Sequence, residues 1–192
     1  MLIYEIDSKV YCYIHIPKNS GRFYRNEIIN KIKGNSDSNK IIKSYWGLGN
    51  DLDLAHIPYM LRKTYIEPLK QENIFYYAHT RSPYDRLISA YFYKNNKSKT
   101  HFKTFINTEL IHFDFNTKFT PDIIHYYPQY LFLCDEDFTI KDDVNIQNIE
   151  SVLPKAKKYK LSDYFDNNNI QIINKIYELD FKLFNYEIIT EI

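Results

Sequence analysis

The chain has 192 residues, enough for one domain with a single sizeable core, and 44% of them are hydrophobic, which excludes a disordered chain. The formal net charge of +1 excludes nucleic-acid binding through a broad basic surface, so any phosphate recognition has to be local. The two cysteines, Cys12 and Cys134, sit inside apolar runs without the paired spacing of a zinc site. The first predicted element is Val10–Ile16, β-branched and aromatic on both faces, as a buried parallel strand requires. Pro17 ends it and a turn through Asn19, Ser20 and Gly21 follows. From Arg22 to Lys33, Tyr24, Ile28, Ile29 and Ile32 recur at helical spacing, and Gly34 closes the segment. Strand, polar loop and helix in this order aim backbone N–H groups at an anion.

Gly34 to Asp53 is polar and irregular, either an acceptor-site loop or a surface excursion, with Asn35-Ser36-Asp37-Ser38-Asn39 its most mobile part. A short helix is predicted after His56-Ile57-Pro58, and a second buried strand at Ile74–Ala78. Ser82 as N-cap, Pro83 in the first turn and Asp85 as a capping-box partner then start a helix that buries Tyr84, Leu87, Ile88 and Tyr91. Further helices are predicted at Phe102–His112 and Asp122–Tyr127, a third strand at Tyr130–Cys134, and a closing helix from Ile170 to Phe184. No internal repeat or linker interrupts the chain, so residues 1–192 read as one domain. The 19 Tyr and 13 Phe suit a core of large side chains, with a stacking surface for sugars or bases as the alternative. Met1–Asp7 is too short and acidic for a signal sequence, and no apolar stretch reaches the roughly 20 residues that span a bilayer. A soluble, cytoplasmic protein without a membrane anchor is the expectation.

Two constellations carry chemistry. In His15-Ile16-Pro17-Lys18-Asn19-Ser20-Gly21 a Lys follows a strand end beside a helix N-terminus, an arrangement suited to phosphate or phosphosulfate. The loop G-x-x-x-x-G-K-[ST] of ATP-binding enzymes is absent, which disfavours a kinase. In the segment Arg81–Tyr91, Arg81 lies at a strand end and Ser89 about two turns into the following helix. An Arg fork with a hydroxyl holds phosphate, although structural ion pairs for Arg81 and Arg86 are the common alternative.

Together these segments resemble the two cofactor-binding motifs of the Golgi-type carbohydrate sulfotransferases, which include the heparan and chondroitin sulfotransferases. That family reads approximately His-Ile-Pro-Lys-Thr-Gly-Gly-Thr-Ser in the first motif and Arg-x-Pro-x-x-Arg-Leu-x-Ser-x-Tyr in the second. His125-Tyr126-Tyr127-Pro128-Gln129 resembles its Pro-Gln element, and Tyr177–Tyr186 its closing helix, so the likeness runs from about His15 to Tyr186. The resemblance implies an α/β fold with three layers: a mainly parallel open sheet with helices on both faces, the P-loop-like sulfotransferase fold. It implies 3′-phosphoadenosine-5′-phosphosulfate as donor, no metal, and a hydroxyl-bearing acceptor, a glycan above all. Lys18 would contact the phosphosulfate together with the loop Asn19, Ser20, Gly21 and Arg22, and Gly21 would allow close backbone approach. Arg81 and Ser89 would hold the 3′-phosphate, while Arg86 braces the loop. His56, in Leu54–Tyr59, resembles the family's His-x-x-Tyr/Phe segment and would be the general base, with Lys18 as the second catalytic group. His15 is the runner-up base, and His79 a candidate to line the same cleft. Lys155, Lys157, Lys158 and Lys160 form a basic run that covers the donor, meets an anionic acceptor or is solvated surface. One departure stands out: the family's hydroxyl residues give way to Arg22 and Phe23. Either Arg22 replaces the lost contacts with a charge-assisted one, or the chain is an inactive nucleotide- or glycan-binding module on the same fold.

Overall fold

The computed structural model describes residues 1–34, 39–49, 51–94, 99–116, 119–153 and 158–192. Asn35-Ser36-Asp37-Ser38 of the polar segment and Lys155 and Lys157 of the basic run lie outside them.

The chain starts with a hairpin that none of the predicted elements includes. Strand β1 (Leu2–Ile6) turns through Asp7 and Ser8 into β2 (Lys9–Ile14). Both turn residues have positive φ, 49° and 60°, the two-residue reversal whose twist matches adjacent antiparallel strands. Helix α1 (Gly21–Gly34) follows, then β3 (Lys40–Ser44), antiparallel to the other side of β1. A small hairpin of β4 (Leu48–Gly49) and β5 (Leu52–Asp53) leads to a 3-10 turn at Leu54–His56 and the one-turn helix α2 (Arg62–Tyr65). Strand β6 (Phe75–Thr80) lies parallel to β2 and leads into α3 (Pro83–Lys94) and α4 (Lys99–Thr108). The last strand, β7 (Val144–Asn148), is parallel to β6 and is followed by α5 (Ile149–Val152), α6 (Asn167–Ile176) and α7 (Glu178–Leu183).

The main sheet therefore has the order β3-β1-β2-β6-β7. The fold is α/β, but the sheet is mixed rather than mainly parallel: β1 runs against both its neighbours, and only β2, β6 and β7 are parallel. The physical reason is the Asp7-Ser8 turn, since two residues can join only antiparallel neighbours. The polar stretch from Gly34 to Asp53, expected to be irregular, supplies the edge strand β3 and the small hairpin.

Side chains alternate across the sheet as the pleat demands. Leu2, Tyr4 and Tyr13 pack on Ile28, Ile29 and Ile32 of α1. Ile3, Cys12, Ile14 and Ala78 face the opposite way, onto Ile57, Tyr59 and Leu131. Cys12 and Cys134 are buried free thiols. A separate helical cluster joins Leu87, Ile88 and Tyr91 of α3 to Phe102 and Ile106 of α4 and Ile170 of α6. No helix among the described residues is long and apolar enough to cross a membrane.

Three expectations are corrected. Tyr130–Cys134 is not a strand: Gln129–Phe132 form a 3-10 turn after Pro128, because the Asp180 carboxylate accepts the N–H groups of Gln129 and Tyr130 at 2.8 and 2.9 Å. The stretch 121–126 is a series of turns, not a helix. The closing helix breaks at Tyr177, whose hydroxyl donates to the Tyr126 carbonyl at 2.7 Å and divides α6 from α7.

Candidate functional site

Strands β2 and β6 are adjacent and parallel, and each runs into a loop and then a helix at its C-terminal end, so the two loops meet. Lys18 and Ser20 in the first loop have left-handed backbones, φ 68° and 57°. The α1 helix opens when Tyr24 N–H reaches the Ser20 carbonyl at 3.2 Å, which leaves the first-turn amides directed out of the helix end. Left-handed residues beside a helix N-terminus make a concave, anion-accepting stretch of backbone.

Gly21 is required here, though by a side chain rather than by a ligand. A Cβ on Gly21 would lie 1.7 Å from Cδ2 and 1.9 Å from Nε2 of His15, whose ring fills that space. Gly21→Ala is therefore expected to lower stability by about 1–3 kcal/mol, the usual cost of overpacking. His15→Ala in the same chain should restore most of it; thermal melts of the parent and the two variants read this directly.

The two loops are fastened to each other by hydrogen bonds. Arg86, 1% exposed, donates Nε–H to the Pro17 carbonyl at 3.0 Å, and Arg81 donates from Nη1 to the Lys18 carbonyl at 3.4 Å. Arg86 thus braces the loop, as expected, through a carbonyl rather than an ion pair. Gln129 is the common anchor. Its Oε1 accepts from Asn19 Nδ2 at 2.8 Å and from the Arg81 N–H at 2.9 Å, while its Nε2 donates to the Arg81 carbonyl at 2.8 Å. Asn19 also donates to the His79 carbonyl at 2.6 Å and is wholly buried. Asn19 is accordingly a structural link and does not line the cavity, unlike its expected role as a ligand contact. Behind Gln129 stands Asp180, also fully buried; desolvation pushes its carboxyl up to about 6, with its two backbone donors and Arg86 pulling the other way.

Above this floor opens a cavity of about 650 Å³. Lys18 and Ser20 line it from the first loop, Gly21 and Arg22 from the start of α1, Arg81 from the second loop and Ser89 from α3. His15 and His56 complete the sequence-predicted set that meets there. Arg22 faces the cavity, whereas Phe23 is not part of its wall, is 46% exposed, and packs edge-on against Tyr24. Of the two departures from the family motif, one is in the site and the other is outside it. His79 is outside as well: its ring stacks on Tyr24 at 3.9 Å beneath α1. Asp85, expected to cap α3, accepts the Tyr159 N–H at 3.0 Å and so ties the end of the basic run, where Tyr159 lines the cavity, to α3.

The electrostatics are those of an anion site. Lys18 is held down to about 8 by burial and then by Arg81, Arg22 and Arg86, and its ammonium rests 3.8 Å over the Tyr93 ring. Like charges gathered at this density repel, and an anion among them relieves the repulsion.

His56 lines the cavity beside His15. Its Nδ1 donates to the His15 carbonyl at 2.7 Å, which fixes the tautomer and leaves the lone pair on Nε2. Asp53 Oδ2 is 4.0 Å from that Nε2. Burial lowers the imidazole to about 4, so His56 is neutral at physiological pH, the form a proton acceptor needs. His15 is also held well below the usual imidazole range, first by burial and then by His56, and its ring is 4.3 Å from that of His56.

The cavity has walls that sequence reasoning did not assign. Trp46, Gly47 and Leu48 reach it from the segment leading into β4, and Tyr93, His125 and Tyr159 from elsewhere. The Gly34–Asp53 stretch is thus more than a surface excursion. Tyr93 was within reach of the sequence, since it falls one helical turn beyond Ser89 on the same face of α3. Trp46 carried no positional signal beyond being the sole Trp. Comparison with known protein families, curated proteins and solved structures finds no match to this chain.

Proposed function

We propose that this chain is a sulfotransferase on a P-loop-like sulfotransferase fold, moving a sulfuryl group from 3′-phosphoadenosine-5′-phosphosulfate to an acceptor hydroxyl, on a carbohydrate first of all. The observation that carries the reading is the meeting of Lys18, the α1 N-terminus, Arg81, Ser89 and a neutral His56 in one cavity. Independent motif matches, remote in sequence, converge on it through the Gln129 anchor.

On this reading Arg81 and Ser89 take the 3′-phosphate, and Lys18 with the first-turn amides of α1 takes the 5′-phosphosulfate. The acceptor oxygen attacks sulfur in line and the bond from sulfur to the bridging phosphate oxygen breaks. Adenosine 3′,5′-bisphosphate leaves with the negative charge, which Lys18 offsets. The acceptor proton passes to Nε2 of His56, and Asp53 at 4.0 Å offsets the imidazolium charge. Arg22, which lines the cavity, supports retained activity over an inactive module, because its guanidinium is a stronger donor than the lost hydroxyls. The test is transfer of labelled sulfate from the donor to a panel of glycans. Label on at least one glycan, dependent on Lys18, is the expected result; no transfer to any member, with bisphosphate still bound, would favour the binding module.

A further inference from the structure

A second cavity, of about 660 Å³, lies on the far side of the β4–β5 hairpin. Consecutive residues divide the two: Asp51 and Leu52 line the second cavity, and Asp53 lines the first. Its chemistry is opposite in kind. Where the first gathers cations, the described lining of the second contains no Lys, Arg or His, and Asp51 is its one charged residue. Leu61, Tyr65, Phe115, Phe119, Leu131 and Phe138 are among its apolar and aromatic lining, with Thr64, Asn116 and Thr120 as neutral polar groups.

The walls are held in place. Phe119 stacks on buried Tyr127 at 4.8 Å, and Phe115 meets the same ring edge-on at 5.2 Å. Arg62 binds Asp135 through two hydrogen bonds of 2.7 Å, which ties α2 on one side to the turn bearing Phe138 on the other. Phe138 itself has φ 60° and is 57% exposed. A left-handed backbone is unfavourable for a bulky aromatic residue, and burial does not compensate it here.

From this juxtaposition we infer that the second cavity is a binding site for a small, uncharged molecule with an aromatic or branched apolar body and one hydrogen-donating end. The volume is that of a small-molecule site, and an apolar lining with few polar groups is the usual composition of one. The Asp51 carboxylate accepts from the donating end, and it disfavours the anions that the first cavity is built to take. The site is independent of the sulfotransferase reading.

The probe for the experiment is N-phenyl-1-naphthylamine, an uncharged fused-ring amine whose fluorescence rises in apolar surroundings. It is titrated into the full chain and three variants. The expected result is saturable binding at one site, weakened at least fivefold by Phe138→Gly, which removes a wall, and by Thr64→Trp, which fills the space from an exposed rim position. Glycine suits the left-handed backbone at 138, so that variant should melt at or above the parent and separates loss of the site from loss of the fold. Trp46→Ala, which strips an aromatic from the first cavity, should leave probe affinity unchanged. Non-saturating fluorescence overturns the inference, and so does binding that Trp46→Ala weakens while Phe138→Gly and Thr64→Trp do not.

Discussion

His56→Ala is expected to lower sulfuryl transfer by about 10²- to 10⁴-fold, the usual contribution of a positioned proton acceptor, while leaving affinity for adenosine 3′,5′-bisphosphate within about twofold of the parent. The split follows from geometry. Lys18 and Arg81 reach the cavity from the loops after β2 and β6 and Ser89 from α3, whereas His56 comes from the 3-10 turn after β5. His56→Asn is the sharper variant, because its amide can still donate to the His15 carbonyl but offers no basic nitrogen. Equal losses in both variants identify the base; recovery with Asn would mean that His56 only holds the loop. The pH profile is a separate readout. A lowered imidazole keeps its proton-accepting form on acidification, so the acid limb of the rate should fall near pH 4 rather than near the ordinary histidine value of about 6.5.

Gln129→Leu is expected to cost about 3–5 kcal/mol of stability, on the scale of a broken buried network. The residue is 0% exposed and makes three hydrogen bonds between the loops. Leucine occupies similar volume but removes the bonds that the Gln129 side chain makes to the Arg81 N–H and carbonyl, and leaves the Asn19 side-chain amide donating to the His79 carbonyl alone. The melting temperature should fall by roughly 10 °C for a chain of this size. Bisphosphate affinity should fall at least tenfold, because Lys18 and Arg81 are no longer held in register. Lys63→Ala is the control: its pair with Glu136 at 3.3 Å is exposed on both sides, so its removal should change stability by less than about 1 kcal/mol. A Gln129→Leu chain as stable as the control would show that the loops do not depend on the anchor.

How far the sequence was readable follows from the range of the forces involved. Helices α1 and α3 were legible because their signals are local: apolar spacing, the Ser82-Pro83 start and the Gly34 stop. Lys18, Gly21, Arg81 and Ser89 were found through motif likeness, and they do converge on one cavity. The third strand was misplaced because an apolar run such as Tyr130–Cys134 has no period of its own. What fixes that segment as a turn is Asp180, fifty residues onward. The true strand, β7, alternates Val144 and Ile146 with polar partners at the sheet edge, a weak pattern over five residues. The motif position of Asn19 points to a ligand contact, yet the partners of its side chain, the His79 carbonyl and Gln129, are remote in the chain. The β1–β2 hairpin did have a local signal, Asp7-Ser8 between two apolar runs, and it decides that the sheet is mixed.

The central claim is that the cation cluster around Lys18 and Arg81 binds a nucleotide bearing a 3′-phosphate, and calorimetric titration tests it most directly. Adenosine 3′,5′-bisphosphate, ATP and inorganic sulfate are titrated at pH 8 in two buffers of different ionisation enthalpy. Lys18, held down to about 8, is partly unprotonated there, and a bound anion raises it again. The bisphosphate should bind more tightly than ATP or sulfate, take up a fraction of a proton, and lose affinity as pH rises above 8; Arg81→Ala should erase its advantage over ATP. No binding by any of the three, or binding of bisphosphate without proton uptake and unaffected by Arg81→Ala, would contradict it.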